Sequence, residues 1–135
     1  MLNAKRLTKQ DRPETLGSFK PVGYVVIALP DDAKTSDACR EIAQAGFADE
    51  DVLRFTAAEA QERIEHMLQH SSEFAGFGYE VSLMRRYQAL SAEGCGWLMV
   101  FAPDEQKAQK VADIARRYGA RMAVHYHTLV VEDLI

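Results

Sequence analysis

Apolar residues gather into two near-continuous runs, Gly23 to Leu29 (GYVVIAL) and Trp97 to Ala102 (WLMVFA). Runs of this length, rich in β-branched and aromatic residues, predict central strands buried on both faces or nearly so. Each ends at a proline, Pro30 or Pro103, followed by acidic residues suited to a helix start, Asp31-Asp32 and Asp104-Glu105. After the first run, Lys34 to Ala45 carries Ala38, Ile42 and Ala45 at helical spacing, and Gly46 supplies the stop with Phe47 beyond it. After the second, a helix is predicted to run to Tyr118 and to stop at Gly119. A short strand then follows each helix, Asp51 to Phe55 in the first case and the alternating Arg121 to Thr128 in the second. Leu129 to Leu134 adds another short strand or a tail.

The two patterns superimpose without a gap. Gly23 and Gly96 are 73 positions apart, as are Pro30 and Pro103, Asp31 and Asp104, Lys34 and Lys107, and Gly46 and Gly119. A strand end, a helix start and a helix stop recur at one offset, as a duplicated βαβ unit requires. Between the units, Thr56-Ala57-Ala58-Glu59 has the form of a capping box, with hydroxyl and carboxylate each reaching a backbone N–H. The helix it opens runs to about His70 with Ala60, Ile64, Met67 and Leu68 on its apolar stripe. Ser71 to Gly78 breaks it, and a second helix covers roughly Tyr79 to Ala92, with Val81, Leu83, Met84, Tyr87 and Leu90 as candidate buried positions.

These elements predict an α+β fold, a ferredoxin-like sandwich built from two tandem βαβ units, about 23–55 and 96–128. In it the two apolar strands lie side by side and the two crossover helices cover one sheet face. The two extra helices cover an edge or part of the other face. The rival is a small open α/β sheet with helices on both faces. The chain then divides into an N-terminal arm, residues 1–20, and one domain, residues 21–135. The arm carries Lys5, Arg6, Lys9, Arg12 and Lys20 against Asp11 and Glu14. It reads as a solvated segment or as one that packs on another subunit.

Composition narrows the function classes. At 47% hydrophobic and 27% charged, a chain of 135 residues can bury a core without disulfides or metal. A net charge of −4 argues against a general nucleic-acid or anionic-membrane binder, and the predicted sheet lacks the aromatic signature of RNA-recognition domains. The N-terminus has no apolar core of the signal-peptide kind, and the apolar run Val25 to Leu29 is far shorter than a membrane span. A cytoplasmic protein is therefore expected, with Cys39 and Cys95 as reduced thiols.

Candidate chemistry rests on a few side chains. His66 and His70 are four apart on a helix and share a face; His125 and His127 are two apart on a strand and share a face. Either spacing can put two imidazoles on one metal, so His66, His70, His125 and His127 are the candidate ligands of a metal or haem site. The strand pair is expected on the sheet face that the helices leave open. The alternative is surface histidines on a helix and polar residues on a sheet face or dimer interface. Arg85, Arg86 and Tyr87 form a second candidate set, two guanidiniums to grip a carboxylate or phosphate beside a phenol; the alternative is a solvated helix face. Cys95, between Gly94 and Gly96, reads as a buried structural thiol unless a nearby cation activates it. The loop Phe74 to Tyr79 has aromatics and glycines but no phosphate-loop lysine; it is a helix connection or a lip over an apolar pocket. No serine–histidine–aspartate order, catalytic carboxylate pair or nucleotide fingerprint is present.

The stretch CREIAQAGFADEDVLRF, within roughly Val22 to Thr56, resembles bacterial general-stress and heat-induced stress proteins of small α/β type. The resemblance implies a strand, a helix ending in Gly-aromatic and a second strand. It carries no catalytic residue onto this chain. GWLMVFAP and YGARMAVHYHTLVVEDL look like segments of uncharacterised proteobacterial proteins. Together these features lead to the expectation of a non-catalytic binding or regulatory protein, stress-related by resemblance. A homodimer through an open sheet face is expected, without a resident cofactor and with an unknown small-molecule ligand. A metal- or haem-dependent protein or enzyme using the histidine pairs is the alternative.

Overall fold

The structure, a computed structural model, describes residues 21–69 and 78–135. The elements follow in the order β1 (Tyr24–Leu29), α1 (Asp32–Gln44), β2 (Val52–Phe55), α2 (Ala57–Gln69), α3 (Gly78–Ala92), β3 (Gly96–Phe101), α4 (Glu105–Arg117), β4 (Met122–Tyr126) and β5 (Val131–Asp133). A 3₁₀ turn, Asp49–Asp51, precedes β2 and takes the place of the strand's first predicted residue. The strands form one antiparallel sheet in the order β2-β3-β1-β4-β5. The first four strands have the ferredoxin-like order, and β5 extends it by a hairpin. The N-terminal arm, His70 and most of the predicted aromatic loop lie outside the described residues.

Local chemistry explains where the helices start and stop. The Asp31 carboxylate accepts from the Lys34 N–H at 2.7 Å and the Asp104 carboxylate from the Lys107 N–H at 2.8 Å. Each satisfies one of the four N–H groups a helix start leaves unpaired. The Thr56 box closes as its residues demand: Glu59 N–H donates to Thr56 Oγ1 at 3.1 Å, and Thr56 N–H to Glu59 Oε1 at 2.9 Å. At the far ends of α1 and α4, Gly46 and Gly119 take φ of +105° and +76°, where a side chain would be strained.

Two cores flank the sheet. On one side α1 and α4 lay Ala38, Ile42, Ala108, Val111 and Ala115 against Val25, Ile27, Leu98, Val100 and Ala123. On the other, α2 and α3 lay Ile64, Met67, Leu83, Met84, Tyr87 and Leu90 against Tyr24, Val26, Trp97, Met99, Val124 and Tyr126. Side chains along a strand alternate faces, so β1 feeds both cores and is buried at every position. The expectation of an open sheet face is thereby corrected. The apolar face that a partner was expected to cover is packed by the chain's own α2 and α3.

The second core also contains the buried polar groups of its aromatic residues. Trp97 donates its indole N–H to Ser91 Oγ at 2.8 Å and meets the Tyr87 ring edge-on at 5.1 Å between centroids. The hydroxyls of Tyr87 and Tyr126 share a hydrogen bond of 2.6 Å, which ties α3 to β4. Gly96 lies where α1 comes down on β3: a Cβ there would sit 2.3 Å from Thr35 Oγ1 and 2.8 Å from Asp32 Oδ1. Glycine is required at this point for close approach.

Candidate metal centre

The β4–β5 hairpin sets the site. His127 N–H donates to the Val130 carbonyl at 2.8 Å, closing the chain around Thr128 and Leu129. Below the turn, Tyr126 pairs with Val131, His125 with Glu132 and Val124 with Asp133. Directly opposed residues share a face, and so do residues two apart on one strand. His125, His127 and Glu132 therefore project together. The segment is anchored past the strand, where Leu134 N–H donates to the Ala123 carbonyl at 2.8 Å and its side chain enters the α1/α4 core. Arg116 on α4 donates to the Leu134 carbonyl at 2.6 Å, and the same guanidinium pairs with Asp113 at 2.9 Å.

One donor atom from each of His125, His127 and Glu132 can be chosen so that all lie within 4.8 Å of one another. His127 Nε2 is 2.9 Å from Glu132 Oε1, and His125 Nδ1 is 3.9 Å from the same oxygen. The two imidazole centroids are 4.4 Å apart. Ligands about 2 Å from a zinc ion at tetrahedral angles stand about 3.3 Å apart, so the observed spacing needs only small side-chain adjustments.

Burial differs sharply within the group. His125 is 2% exposed, whereas the His127 and Glu132 side chains are 41% and 49% exposed. His125 Nε2 is buried and makes no hydrogen bond among the described residues. An orphaned polar nitrogen in a core is costly, and such atoms call for an explanation. Burial holds the His125 imidazole below the ordinary histidine range, and the neighbouring His127 pushes the same way; the Ala102 backbone, Glu132 and Asp104 oppose this. The neutral ring that results is the form that binds metal.

The other candidate residues separate from this group. His125 pairs with Val25 across β4–β1 and lies on the α1/α4 side, so the expectation that the strand pair sits on an open face is corrected. His66 is exposed on α2, which covers the opposite face. His66 and the strand pair thus stand on two sides of the sheet; His70 is outside the described residues. Arg85 and Arg86 are exposed on α3, while Tyr87 is buried beneath it against Trp97 and Tyr126. These three residues do not face a common site, since one helix directs the arginines outward and the tyrosine inward. Cys95 is buried and its thiol is pushed up by that burial, away from the reactive thiolate; Cys39 is also unpaired.

Glu132 is the member of this group that sequence patterning missed. Its signal was the distance around the turn: with Thr128-Leu129 as a two-residue loop, Glu132 falls opposite His125. Neither residue is a usual hairpin-turn type, so the tail did not read as a paired strand. Among the described residues, no helix is long and apolar enough to cross a membrane. No protein-family model matches the chain, and no match to it was found among curated proteins or solved structures.

Proposed function

We propose that this is a binding or regulatory protein, not an enzyme, whose ligand is a divalent first-row transition metal held by His125, His127 and Glu132. The observation that carries the reading is the buried, neutral His125 with an unpartnered ring nitrogen, next to a second imidazole and a carboxylate. Two imidazoles and one carboxylate suit zinc and its neighbours in the first row. Haem would use one imidazole as an axial ligand and leave the other two donors without a role. The Ala102 backbone and Asp104 favour the protonated form of His125, but burial and His127 outweigh them and keep the ring ready for a metal. Because ligands must be deprotonated, metal and protons compete for the same three groups. The unpaired cysteines are in keeping with the cytoplasm as the setting. The stress-protein resemblance agrees with a regulatory role and adds no residue to the site.

The test is a Co²⁺ and Zn²⁺ titration followed by absorption, calorimetry and thermal melting. Wild-type protein is expected to bind one ion per chain and to melt higher, since a ligand at about 100 times its Kd adds about 2.7 kcal/mol to the native state. His127→Ala and Glu132→Gln should weaken binding at least about tenfold. His66→Ala should bind as wild type. No uptake by wild type, or equal uptake by the His127 variant, would sink the proposal.

A further inference from the structure

We infer that metal binding licenses the exposed edge of β5 to pair with β5 of a second copy, so that the protein dimerises through this edge in a metal-dependent way. The inference rests on the metal reading above and names the partner of that same site. β5 is the last strand of the sheet, and no described strand pairs with its outer side. The hydrogen bonds fix the phase of the hairpin: the Val130 carbonyl and the Leu134 N–H both point to β4. In an antiparallel ladder a residue's N–H and C=O point the same way and neighbours alternate. Val131 and Asp133 therefore turn their backbone donors and acceptors outward, as a template for another strand.

Two-fold antiparallel pairing through those groups sets Val131 of one copy against Asp133 of the other. It places the two Glu132 residues directly opposite each other, in a pair whose Cα atoms stand about 4.5 Å apart. Without metal, two carboxylates so placed repel, and an acidic edge is a known guard against self-pairing. With metal the sign reverses. Each Glu132 carboxylate has two oxygens, one for the ion of its own chain and one for the ion of its neighbour. Three ligands from one chain leave a tetrahedral ion one donor short, and the second copy's Glu132 supplies it. The same register brings the exposed Leu129 of one copy (90% exposed) beside the exposed Ile135 of the other (43%). Burial of those apolar side chains adds to the contact.

The experiment is sedimentation equilibrium of the full chain in EDTA and in Zn²⁺, with calorimetry in parallel. A monomer in EDTA and a dimer at one ion per chain are expected. Val131→Pro removes an N–H that faces outward and costs no bond to β4. It should bind Zn²⁺ with wild-type affinity and remain a monomer. Asp133→Pro, whose N–H also faces outward, is the second blocking variant and should behave alike. Zn²⁺ bound to a wild-type monomer overturns this inference and leaves the metal reading standing. A dimer that persists in EDTA, or proline variants that bind Zn²⁺ and dimerise, overturn it as well. Absence of binding overturns both.

Discussion

The stretches β1-α1-β2 and β3-α4-β4 run alike through their helices and differ after them. Asp32 and Glu105 open α1 and α4, Gln44 and Arg117 close them, and both pairs are 73 positions apart. Their caps use the same carboxylate-to-N–H bond. Beyond the glycine stops the correspondence ends. After Gly46 the chain makes a 3₁₀ turn at Asp49–Asp51 and then forms β2, a sheet edge with Arg54 exposed. The second stretch forms β4, buried at every position, and folds back as β5. Helix positions here are set locally, by a cap and a stop. A strand's role is set by what lies beside it. The candidate metal centre lies past the point where the two stretches differ, on β4, which has a strand on each side.

The largest expected effect tests whether the two helices pack alike. Ile42 on α1 is fully buried, and its counterpart on α4 is Ala115. Ile42→Ala should cost about 2–5 kcal/mol in urea unfolding, through lost burial and a cavity. Ala115→Ile, which copies the first helix into the second, should cost about 1–3 kcal/mol through overpacking. A gain in stability from the second change would mean that the helix faces are interchangeable.

The glycines that open the first strand of each unit come next. Gly23 has φ of +88°, whereas Gly96 is needed for the approach of Thr35 and Asp32. Gly96→Ala should cost about 1–3 kcal/mol, and Thr35→Ala should recover part of the loss by removing the nearest atom. The same Thr35 change should not rescue Gly23→Ala. Additive losses in the Gly96–Thr35 cycle would contradict the steric account.

The third test concerns the strand that carries the candidate site. His125 has a folded-state affinity for protons below the ordinary histidine value of about 6.5. The unfolded chain thus binds more protons between the depressed value and about 6.5, so stability is full above that interval and is lost as pH falls through it. The slope due to this residue is at most about 1.4 kcal/mol per pH unit. His125→Leu should flatten that part of the stability–pH curve in metal-free protein; an unchanged curve would contradict the assignment of this slope to His125.

The smallest effect probes the shared feature. Asp31→Ala and Asp104→Ala should each cost about 1 kcal/mol, and by similar amounts, measured by thermal unfolding. A large difference between them would break the equivalence of the two helix starts.

The fold was legible where local chemistry decides. Caps at Asp31, Thr56 and Asp104, stops at Gly46 and Gly119, and the two apolar strands all mark their elements by residue type. The packing of α2 and α3 was less legible, because period 3.6 tells which side of a helix is apolar and not which sheet face receives it. Tyr87 illustrates this: it falls in register with Leu83, Met84 and Leu90, yet beside Arg85 and Arg86 it also read as site chemistry. His125 and His127 were visible by spacing. Glu132 depended on a hairpin register that no turn residue announced, and the burial of His125 depended on pairing with Val25 of β1, 100 positions away.

Trp97 is the chain's single tryptophan, held between the Ser91 hydroxyl and the edge of Tyr87 in the core beneath α3. All indole emission from this protein therefore comes from one place. That signal reports the docking of α3 on the sheet, while the candidate metal centre lies on the other face. Unfolding of the helical layer and occupation of the hairpin can thus be followed in one sample by two separate optical readouts, indole fluorescence and cobalt absorption.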